Sequence, residues 1–134
     1  MRDLVTRFRE QAAGCRSYGS ALTGALLEGA ADDLEQGGVV ADLMGPHADD
    51  PGGSVPALRL AGSLHRLVLQ GRAPALAAHY PSVGGTADVE QVWAPARATV
   101  VEHLDELRAL VRRTVQTNEV GRSAVLMGVL QLIN

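Results

Sequence analysis

The sequence predicts an all-α fold, a compact bundle of about six to seven helices formed by a single domain over residues 1–134. Three observations lead there. Apolar residues recur every three to four positions over most of the chain, the spacing that lines one face of a helix. Glycine and proline interrupt that spacing where helices would end or begin. No run keeps the period-two alternation of a half-buried strand.

Leu4, Phe8, Ala12 and Cys15 mark the inner face of a first helix from Arg2 to about Tyr18, which Gly19 breaks. Ser20 is placed to cap a second helix, whose core face carries Leu22, Leu26, Ala30 and Leu34. Gly37-Gly38 stops it, and a short helix with Val39, Val40, Leu43 and Met44 follows. Gly45-Pro46 then opens a loop of turn formers through Asp49, Asp50, Pro51, Gly52 and Gly53.

Ser54 is expected to cap the next helix, with Pro56 tolerated in its first turn because no helical acceptor waits for an amide there. Leu58, Ala61, His65 and Val68 form one stripe on it, and Leu60, Leu64 and Leu67 form another. Two apolar stripes imply burial on most sides, so this is the expected central helix. Gly71 ends it. Pro74 starts a short helix to about His79, and Tyr80-Pro81-Ser82-Val83-Gly84-Gly85 reads as a loop. Thr86 or Asp88 is expected to cap the segment that follows, with Pro95 dividing it into a short piece around Trp93 and a long helix to about Arg113. Val100, Leu104, Leu107 and Val111 face the core there, while Glu102, Asp105, Glu106, Arg108 and Arg112 read as a solvated face. Thr117 or Asn118 caps a last, almost wholly apolar helix through Ala124, Met127, Leu130 and Ile133.

Composition narrows the function classes. With 46% hydrophobic residues, 134 residues suffice for a real core. The net charge of −3 and the scarcity of aromatics (Trp93, Tyr18, Tyr80 and Phe8) argue against nucleic acid as a partner. All 12 basic residues are Arg, which excludes chemistry through a lysine amine. Cys15 stands alone, so no internal disulfide and no cysteine-based zinc site can form; a buried thiol is the expectation. The charge-alternating start does not read as a signal peptide, and the longest apolar stretches are too short to span a bilayer. No membrane association and a cytoplasmic location are therefore expected.

Catalytic and metal-binding residues are both expected to be absent. His47, His65, His79 and His103 lack the spacing of a metal motif, and His47 with Asp49 and Asp50 ahead of Pro-Gly-Gly reads as turn chemistry. His65 lies in an apolar stripe, where an imidazole must find a partner; it is either a satisfied core histidine or a ligand anchor. Gly52-Gly53-Ser54 and Gly84-Gly85-Thr86 each precede an expected helix and are weak candidates for an anion site, with plain loop-and-cap chemistry the simpler reading. The densest polar cluster is Gln116-Thr117-Asn118-Glu119, with Arg122 a short turn further on. Polar groups crowded at the mouth of a buried helix need internal partners or a ligand. Gln116, Asn118, Glu119 and Arg122, with His65 as neighbour, are accordingly the candidate ligand-binding residues, a structural Glu119–Arg122 pair being the alternative.

Thr114-Val115-Gln116-Thr117-Asn118-Glu119-Val120-Gly121-Arg122 resembles the signature of a family common in high-GC bacteria, the domain of unknown function twenty-three thirty-two. Gly71-Arg72-Ala73-Pro74-Ala75-Leu76-Ala77, Tyr80-Pro81-Ser82, Leu64-His65-Arg66-Leu67-Val68-Leu69 and Asp49-Asp50-Pro51-Gly52-Gly53-Ser54 fit as well. Arg9, Gln11 and Ala12, and Ala30-Ala31-Asp32-Asp33-Leu34, extend the likeness toward the start. The resemblance implies a longer protein, continuing into a Gly-rich strand-loop similar to that of S-adenosylmethionine-dependent methyltransferases. It implies that residues 1–134 are a helical accessory or substrate-covering part, with no cofactor of their own. S-adenosylmethionine would be bound only in the longer form. The expected partner is thus a missing C-terminal domain; the competing expectation is a self-standing interaction module forming a homo-oligomer through its last helix.

Overall fold

In a computed structural model, residues 2–51, 55–86 and 88–116 are described, with side chains through 112. They form seven α-helices: α1 (Arg2–Ser17), α2 (Ala21–Glu35), α3 (Val39–Met44), α4 (Pro56–Leu69), α5 (Pro74–Ala77), α6 (Trp93–Glu102) and α7 (Leu104–Gln116). Single 3-10 turns cover Gly45–His47 and Pro81–Val83, and the described residues contain no strand. The fold is the all-α bundle the periodicity predicts.

α1 and α2 form an antiparallel hairpin. Ser20 caps α2 as expected, its side chain accepting from the Thr23 amide. Arg9 of α1 reaches Glu28, Asp32 and Glu35 of α2, and Arg16 reaches Glu28, so opposite charges line the outer seam. Leu4, Phe8, Ala12 and Cys15 turn inward and are all buried. α3 starts at a glycine that offers no capping side chain; instead Asp33 of α2 accepts from the Val40 amide. The same carboxylate accepts from Arg97 Nε, which ties α6 to α2 as well.

α4 is the hub, packing against α1, α2, α5, α6 and α7. Both of its predicted stripes are buried, and Leu60, Leu64 and Leu67 are fully enclosed. Apolar burial on this scale, at roughly 25 cal/mol per Å², is what organises the bundle around it. α6 approaches α2 at Gly29, where an added Cβ would lie 2.5 Å from Trp93 Cγ, so only glycine lets the indole pack so close.

Several boundaries differ from those expected. The N-cap position of α4 is Val55, in the left-handed region with φ 50°, rather than Ser54, which lies outside the described residues. Pro56 favours the shift, since its ring disfavours right-handed helical geometry in the residue before it. Pro95 does not divide α6; it sits within the first turn, where a missing amide costs nothing. The division falls at His103, whose backbone leaves the helical region. Thr86 and Asp88 cap no helix, because a series of turns precedes α6. The charged side of α7 is exposed but paired across the bundle, Glu106 with Arg72 and Arg108 with Asp42. Expectations for the last helix, and for Thr117 or Asn118 as its cap, fall outside the described residues.

Candidate functional site: two loops held by the central helix

α4 carries two buried ionisable side chains, and each meets a different loop. Arg59, with 1% of its side chain exposed, donates through Nη2 to Asp50 Oδ2 at 2.9 Å. The other partner of that oxygen is His47 Nδ1, also at 2.9 Å. Arg7 of α1 completes the junction, donating to the carbonyl oxygens of Ala48 at 2.7 Å and Asp50 at 3.1 Å. Two helices, α1 and α4, therefore converge on residues 45–51. Burial opposes ionisation of Asp50, but the hydrogen bonds from Arg59 and His47 outweigh it and hold the carboxyl below its usual range.

Two depressions flank this junction. A cleft of about 210 Å³ is lined by Arg7, Glu10, Gln11, Gly14, Val55, Pro56 and Ala57. A wider, shallow depression of about 470 Å³ is lined by Asp3, Thr6, Arg7, Glu10, Ala48, Asp49 and Asp50. Val55 borders the narrower one with a left-handed backbone that a β-branched residue rarely adopts. Such geometry costs on the order of 1–3 kcal/mol and persists only where the surroundings enforce it.

The second loop is residues 80–86. His65, 2% exposed, sets its Nε2 3.1 Å from Ser82 Oγ. Its ring stacks on Tyr80, centroids 5.1 Å apart with 20° between planes. Burial lowers the pKa of His65 and raises that of Tyr80, so both are neutral at pH 7. The loop closes on itself through Val83 and Gly85 amides donating to the Tyr80 carbonyl, and the Thr86 amide donating to that of Ala78. Gly85 cannot be replaced freely, because a Cβ there would lie 2.5 Å from the carbonyl oxygens of Ala77 and Ala78. Gly84-Gly85-Thr86 leads into turns and not into a helix, so it offers no helix terminus to an anion. Gly52-Gly53-Ser54 lies outside the described residues.

Of the five residues singled out from sequence, the structure describes the surroundings of His65 alone. Gln116 closes α7, and its side chain, with Asn118, Glu119 and Arg122, lies outside the described residues. Arg59 and Ser82 escaped the sequence reading. Arg59 had a usable signal, a cation between Leu58 and Leu60 on a helix already expected to be buried on most sides. Ser82 had none, since its partner is 17 residues away. No group of three His, Cys, Asp or Glu able to hold a metal occurs among the described residues. No helix among them is long and apolar enough to cross a membrane.

A family model described as an uncharacterized protein conserved in bacteria (DUF2332) matches residues 5–134. No curated protein and no solved structure matches the chain significantly.

Proposed function

We propose a function from one premise: the chain belongs to the DUF2332 family of uncharacterised proteins conserved in bacteria. Residues 1–134 act as a helical accessory domain of a methyltransferase-like protein, shaping or covering a substrate cleft. S-adenosylmethionine is held by a C-terminal partner fold of the longer form. Gln116, Asn118, Glu119 and Arg122 orient substrate toward that partner, and a cytoplasmic setting goes with this reading.

One observation supports it most directly. The central helix commits both of its buried ionisable side chains to loops, Arg59 to residues 45–51 and His65 to residues 80–86. A buried ion pair contributes little net stability compared with apolar packing, so its value lies in fixing position. A scaffold that fixes loop position in this way suits recognition, because binding residues sit preferentially on loops held by rigid elements.

The test is to read the coding frame beyond Asn134 and titrate S-adenosylmethionine into both the 134-residue chain and the longer product. Heat of binding is expected with the longer product and not with the shorter. A stop directly after Asn134, with light scattering showing a stable homodimer, would replace this reading by the self-association one.

A further inference from the structure

We propose that Ser82 is a nucleophilic hydroxyl served by His65 as general base, and that the pair takes the acyl group of a small activated ester. The inference does not rest on the methyl-transfer reading. Its ground is geometry: Nε2 of His65 lies 3.1 Å from Ser82 Oγ, within reach for direct proton transfer. The imidazole is enclosed and stacked on buried Tyr80, so it cannot swing away from that hydroxyl. Ser82 itself is exposed, on a turn stiffened by Pro81, so a carbonyl carbon can approach Oγ from solvent.

A structural role needs only that Ser82 Oγ satisfy the buried imidazole; what goes beyond it is that the same hydroxyl is exposed and open to a reacting carbonyl. The lowered pKa of His65 fits the role of base, since a base must be unprotonated at working pH. The Ser82 amide makes no backbone hydrogen bond among the described residues, and the nucleophile's own amide is one donor used in oxyanion holes.

The step balances as follows. With the ring proton on Nδ1, Nε2 accepts the Ser82 hydroxyl proton as Oγ bonds to the ester carbonyl carbon. The tetrahedral adduct then expels the leaving alcohol, which takes that proton from Nε2, and Ser82 carries the acyl group. Water repeats the sequence, releasing the carboxylic acid and restoring Ser82. A small acyl group is the one chosen, because an open loop surface offers no enclosure that would bind a long chain.

p-Nitrophenyl acetate, followed by peptide mass mapping, tests the proposal directly. Acetylation at Ser82 is expected in the unmodified chain, with a drop of about 100-fold in its rate in His65→Gln, in line with loss of a general base. Ser82→Ala, an exposed change, serves as the blank. No adduct at Ser82, or equal acetylation in a His65→Gln protein whose circular dichroism is unchanged, overturns the proposal. The pH profile of Ser82 acetylation in the unmodified chain guards against failure of the His65 variant to fold. The rate should fall as acid protonates the imidazole, with a midpoint below the ordinary histidine pKa of about 6.5. A rate that simply follows hydroxide, with no such midpoint, refutes the pairing on its own.

Discussion

Truncating Leu64 tests the claim that α4 organises the bundle. Leu64 is 0% exposed, on the stripe it shares with Leu60 and Leu67. Leu64→Ala removes three carbons, which at about 0.8 kcal/mol per buried methylene gives a transfer loss of about 2.4 kcal/mol. α4 packs against five other helices, so no single neighbour can collapse into the space. A residual cavity adds about 24 cal/mol per Å³, which brings the expected total to about 3–5 kcal/mol. Urea denaturation followed by helical circular dichroism measures it, with Leu69→Ala on the same helix as control. Leu69 is 50% exposed, so its truncation should cost half that transfer loss, about 1 kcal/mol. A Leu64→Ala loss below about 0.5 kcal/mol, or equal losses at the two positions, would show that α4 is peripheral.

Asp50→Asn should destabilise the protein by about 1–3 kcal/mol, because it takes the anionic acceptor from a buried guanidinium while Asp50 itself keeps partial solvent access. The sign of its pH dependence follows from a carboxyl held lower in the folded state than in the unfolded one. Its stabilisation is present above the unfolded value, about 3.9, and is lost as pH falls through the lower folded value, so denaturation midpoints of parent and variant should converge in acid. A gap that widens on acidification would refute the pairing. Gly85→Ala should cost about 1–3 kcal/mol, since its Cβ meets two backbone oxygens that cannot rotate aside, and unchanged melting would mean that the loop is not held against α5.

The bundle was legible in sequence because helical periodicity is local. The residues that mark α1, α2 and α4 lie one turn apart, and their burial follows from spacing alone. Boundaries were harder where two local signals compete. Pro95 reads as a breaker in sequence, yet a proline in a first turn breaks nothing; the actual division at His103 has no punctuating residue to announce it. The candidate sites were only partly legible, for a different reason. Burial of His65 follows from its stripe, but its partner Ser82 and the Arg59–Asp50 pair depend on how loops fold back on α4. Such pairings belong to tertiary structure, and turn chemistry explains Asp50 well enough in sequence to conceal its second role.

Trp93 is the chain's single tryptophan, and it packs where α6 crosses Gly29 of α2. The protein thus carries a built-in fluorophore at one helix crossing. Its emission reports the docking of α6 on the hairpin, whereas far-ultraviolet dichroism reports helix content everywhere. If both signals change together with denaturant, the bundle unfolds as one cooperative unit. If the emission shifts first, α6 separates from a hairpin that is still folded, and the molecule is built from parts of unequal stability.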